Sequence, residues 1–119
     1  MGAPGLAVRG FNVGPMSGQS GERAARRAAA EVVGSYHERE LGKLLEHVRD
    51  ALVRCDAGEI DAFEVDSVIH RYKQSARRLW NFCTVGGSQL EQLANEVERM
   101  QAEGDSIDWW SAAERGAET

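Results

Sequence analysis

Proline is almost missing from this chain: its two prolines, Pro4 and Pro15, both lie in the leader, and none interrupts residues 16–119. The strongest breaker of helices is therefore absent from most of the molecule. Cysteine is as scarce, with only Cys55 and Cys83, and neither has a C-x-x-C or histidine-spaced neighbour. That excludes the recognised zinc and redox motifs, and both residues read as small buried hydrophobes on separate helices. No apolar run exceeds a few residues, far short of the about 20 that span a bilayer. The N-terminus also lacks the apolar core of a secretory signal, so the expected location is cytoplasmic, with no membrane partner. Basic excess is lacking too. The net charge of −5 argues against non-specific nucleic-acid binding, which needs a surface that neutralises phosphates. Strand-like alternation and internal repeats are absent.

What remains is capped, amphipathic helix. The pattern predicts an all-α fold: a three-helix bundle, made of an antiparallel hairpin and a third helix, with a short C-terminal helical segment and a flexible N-terminal leader. The divisions expected are a leader over residues 1–19, a single helical domain over 20–115 and a flexible tail over 116–119. The leader holds five of the glycines and shows no apolar periodicity.

The first helix is expected from Ser20, as cap, to about Ala57, with Gly58 as its C-terminal stop. Leu41, Leu44, Leu45, Val48, Leu52 and Cys55 form its apolar face, which extends backward through His37, Gly34 and Ala30. A second cap signal, Ser35 with Glu38, makes a break at Gly34 as well supported as a continuous helix. The short link that follows forces a hairpin. Asp61 and Glu64 form a capping box that starts the second helix at Ala62. Its apolar stripe is Val65, Val68, Ile69, Tyr72, Ala76, Leu79, Trp80 and Cys83. Acids precede bases along it, as the helix dipole favours. A third helix opens at the Ser88/Glu91 box and runs to about Glu103, with a seam of Leu90, Leu93, Ala94, Val97 and Met100. Asp105 and Asp108 are placed to cap a terminal turn carrying Ile107, Trp109 and Trp110. Residues 88–119 hold eight acids against two bases, so the charge collects at this end.

Reactive signatures are sparse. Cys83 sits in an apolar stripe that should raise its thiol pKa, and Gly86-Gly87 ahead of a cap is an ordinary loop. No catalytic residue or cofactor is assigned, and an enzyme is not the expected reading. The expected function is a protein-interaction or regulatory module that binds a protein partner or forms a homo-oligomer. Its candidate surface comprises Phe82 with Arg71 and Arg78 on one flank of the second helix, and Asp66, His70, Arg77 and Asn81 on the other. Trp109 and Trp110 complete it: about 100° apart on a turn, one ring seals the helices and the other stays partly exposed. Two alternatives stand beside it. A metal- or ligand-binding bundle would use His37, His47 or His70 with nearby carboxylates. A nucleic-acid-associated regulator would use Arg23, Arg26 and Arg27 with Arg71, Arg77 and Arg78, although Glu22 and Glu31 flank the first cluster.

Overall fold

The computed structural model describes residues 18–85 and 88–112, and all regular structure among them is helical. Helix α1 spans Gly18–Asp56, α2 spans Ala62–Cys83 and α3 spans Ser88–Glu103, with a further helical turn at 109–112. The predicted leader overlaps α1 at Gly18 and Gln19, so Ser20 lies inside the helix and does not cap it. The rest of that leader, the loop Gly86-Gly87, the Ser88 side chain and the predicted tail over 116–119 lie outside the described residues.

Helix α1 passes through Gly34 without a break. A glycine there costs about 1 kcal/mol relative to alanine. Packing on both sides holds the helix together, because the buried stripe Ala29, Val33, Tyr36, Glu40 and Leu44 crosses the glycine without interruption. This stripe corrects the expected one. It is rotated by roughly 120° from the Leu41–Leu45–Leu52 face, leaving Leu45 and Leu52 exposed, and Ala30 and Gly34 as well. Glu40, a charge on the true stripe, is what disguised it.

Gly58 ends the helix as expected. Its φ of +79° is a left-handed conformation that side chains with a Cβ resist. The Glu59 amide donates to the Arg54 carbonyl at 2.9 Å, and the Gly58 amide to the Cys55 carbonyl at 3.0 Å, the paired bonds of a Schellman stop. Both halves of the Asp61/Glu64 capping box are formed: the Glu64 amide reaches Asp61 Oδ1 at 2.9 Å, and the Asp61 amide reaches Glu64 Oε1 at 3.0 Å. Val65, Ser75, Leu79 and Cys83 are buried on α2.

Both α2 and α3 pack on α1. The short link turns α2 back along the C-terminal half of α1, where the Tyr36 and Phe82 rings lie 5.9 Å apart. Helix α3 takes the other half, with Ala94 and Glu98 facing Ala28 and Val32 across a shallow groove. Its predicted seam is found: Ala94, Val97 and Met100 are buried, and Leu90 and Leu93 pack against them. Gly104, at φ +76°, then turns the chain so that the Asp105 amide reaches the Met100 carbonyl at 2.8 Å.

Candidate functional site

The segment after Gly104 lies against both helices of the hairpin, and its geometry starts at Asp108. The Asp108 carboxylate accepts from the Ser111 amide at 3.2 Å and from the Ser111 hydroxyl at 2.9 Å. These bonds, the amide's first, hold its carboxyl below the usual range. The cap fixes a helical turn, so Trp109 and Trp110 leave it in different directions. Trp109 turns inward: its indole N–H donates to the Tyr36 hydroxyl at 3.0 Å, and its ring lies 5.2 Å from that of Phe82. Trp110 stays half-buried, stacked on the His47 ring at 4.0 Å with 5° between the planes. The Arg71 guanidinium lies 4.5 Å from the centroid of the same indole and donates to the Trp110 carbonyl from Nε at 3.2 Å and from a terminal nitrogen at 3.1 Å. One residue of the tail is thus tied to α1 through His47 and to α2 through Arg71.

Trp109 is therefore part of the core and half-buried Phe82 packs against it, while Arg71 and Trp110 serve to dock the tail. Asp66 and His70 remain exposed and engage each other: His70 Nδ1 is 2.9 Å from the Asp66 carbonyl oxygen and 3.5 Å from its carboxylate. Arg77, Arg78 and Asn81 are exposed. So are Arg23, Arg26 and Arg27 on the first turns of α1, with Glu22 and Glu31 beside them.

A cleft of about 280 Å³ opens beside the tryptophan pair, walled by Glu40, Lys43, His47, Asp108 and Trp110. Its charges are already matched in part, since Lys43 Nζ lies 3.0 Å from the buried Glu40 carboxylate. Among the described residues no three His, Cys, Asp or Glu side chains converge to hold a metal ion, so His37, His47 and His70 do not share a site. Burial pushes the Cys83 thiol up to about 11, with the Glu40 charge adding to it, which leaves little thiolate for nucleophilic chemistry near neutral pH.

The feature that periodicity alone did not reveal is an open apolar face. Leu45 is 40% exposed, Leu52 49% and Trp80 54%. Trp80 was expected in the core, but the buried stripe of α2 is turned toward Phe82 and leaves Trp80 at its edge. On an antiparallel hairpin, the flank of α1 bearing Leu45 and Leu52 and the flank of α2 bearing Ile69, Ala76 and Trp80 lie on one side. The tail, through Phe82 and Arg71, covers the other. Leu41, Val48, Ile69 and Ala76 are half-buried along the rim of the open side. Val53 and Phe63 are also exposed but sit off this face as single residues, which is ordinary for a surface.

No helix among the described residues is long and apolar enough to cross a membrane. Comparison with protein-family models, curated proteins and solved structures finds no match to this chain.

Proposed function

We propose that this chain is a helical protein-interaction module of the cytoplasm, built as a three-helix bundle on α1, whose working surface is the open side of the α1–α2 hairpin. One observation carries the reading. The apolar stripes of α1 and α2 are wider than the strips buried inside the chain, and the excess on both helices falls on the same side, at Leu45, Leu52 and Trp80. Two independent stripes that overrun their burial in the same direction form a contiguous patch, and such patches mark places where another surface docks. The polar residues proposed from sequence for this surface, Asp66, His70, Arg77 and Asn81, border it along α2, as the rim of an interface does.

The test is a photo-crosslinking residue placed at position 52 in the native host, with position 22 as control. Protein adducts are expected at 52 and not at 22. A companion variant, Leu52→Asp, should keep its far-UV dichroism and change stability by no more than about 0.5 kcal/mol, as exposed substitutions do. Equal labelling at the two positions, or collapse of the fold in Leu52→Asp, would refute the reading.

A further inference from the structure

We infer that the cleft between α1 and the tail is a binding site for a small free α-amino acid with an aliphatic side chain, its ammonium on Glu40 and its carboxylate on Lys43. The site lies on the covered side of the hairpin and is independent of the open face.

Glu40 is the starting point. Its side chain is only 8% exposed, and a carboxylate so far from water normally has both oxygens met by donors. Lys43 Nζ donates to Oε2 at 3.0 Å. Among the described residues Oε1 accepts no hydrogen bond, yet it is not sealed inside the protein, because the one enclosed side-chain polar atom without a partner is the Ser75 hydroxyl. Glu40 is a wall of the cleft, so its unused oxygen is an acceptor opening there.

Charge selects what that acceptor takes. The Lys43 ammonium has three donors, spends one on Glu40 and is 58% exposed. One wall thus offers an acceptor and donors of opposite charge side by side. A ligand that is only a cation meets Glu40 but is repelled by Lys43, and one that is only an anion meets the reverse. An α-amino acid carries both charges on one carbon, so it matches the pair and brings no net charge into the cleft. Asp108, on the tail wall, already has both oxygens engaged by Ser111. No three metal-ligating side chains converge among the described residues, which leaves an organic donor for Oε1.

Size and lining agree. The cleft measures about 280 Å³, room for about nine waters and hence for a ligand with about that many non-hydrogen atoms, the size of leucine. Leu44 from α1 and Ile107 from the tail line it beside the charged pair, apolar contacts for an aliphatic side chain.

Isothermal titration calorimetry of the full chain with L-leucine tests the site, read alongside the indole resonance of Trp110. Binding with a dissociation constant of roughly 0.01–1 mM is expected, with a shift of that resonance. Isopentylamine, which lacks the carboxylate, and isocaproate, which lacks the ammonium, should each bind about tenfold more weakly or worse, since each forgoes a hydrogen bond between charged groups. Glu40→Gln and Lys43→Gln should each weaken leucine by a similar factor. Lys43 is exposed, so Lys43→Gln decides the matter even if Glu40→Gln fails to fold. No heat and no Trp110 shift up to about 10 mM leucine overturns the site. Equal binding of leucine and isopentylamine, or leucine binding that Lys43→Gln leaves unchanged, overturns the recognition by paired charges.

Discussion

The Tyr36 hydroxyl accepts the indole N–H of Trp109 in a buried position, and this single bond fixes where the tail meets α1. Tyr36→Phe leaves that donor without its partner inside the protein, a loss of about 1–3 kcal/mol that urea unfolding would measure. Trp80 provides the contrast. It is more than half exposed at 54%, so Trp80→Ala should cost less than about 1 kcal/mol in dilute, monomeric protein, against about 3–5 for an aromatic in the core. The pH dependence of stability also belongs to single residues. Burial raises the Cys83 thiol from 9.0 to about 11, and burial likewise raises Tyr36. Above pH 9 the unfolded thiol releases its proton and the folded one does not, so the unfolded state is favoured progressively. On account of this thiol, stability should be level from neutral pH up to 9 and fall between about 9 and 11, and Cys83→Ala should flatten part of that slope in thermal melts.

The helices differ in how far they could be read from local pattern. The end of α1, the start of α2 and the end of α3 were legible, because a capping box or a glycine with positive φ acts within one turn and needs no tertiary partner. Asp61 with Glu64, Gly58 and Gly104 all behave this way. Helix α1 was harder. Gly34 and the Ser35/Glu38 signal argued locally for a break, and the continuous stripe from Ala29 to Leu44 outweighed them. Gly34 within α1 and Gly58 just past its end should therefore respond oppositely to alanine. A Cβ at Gly34 meets nothing within 4 Å, so Gly34→Ala should stabilise by about 0.5–1 kcal/mol through helix propensity. Gly58→Ala forces a side chain into φ +79° and should destabilise by about 1 kcal/mol or more. Thermal denaturation of both variants reads the difference in sign directly.

At the scale of the whole molecule, one long helix serves two neighbours and leaves one side of its hairpin bare. A partner that binds this side of the folded chain stabilises it by mass action, so the melting temperature should rise as that partner is added to the wild type and stay unchanged for Leu52→Asp. Of the candidate surface, Asp66, His70, Arg77 and Asn81 were legible as exposed polar positions, since a charged row on an amphipathic helix has only one place to go. Phe82, Arg71 and Trp109 were not. Whether an aromatic at the edge of a stripe faces in or out depends on what lies across from it, and for Phe82 that is Trp109, 27 positions further along. By itself, then, the sequence determined the helical class, the end of α1, the start of α2, the end of α3 and the hairpin link, all of them products of hydrogen bonds and dihedral preferences within a turn or two. Only the tertiary structure decided the rotation of α1 and α2 about their axes. A stripe defines an arc of the helix surface, while the neighbours that pack against it, here the tail bearing Trp109 and Trp110, select which part of the arc is buried and which part is left open at Leu45, Leu52 and Trp80.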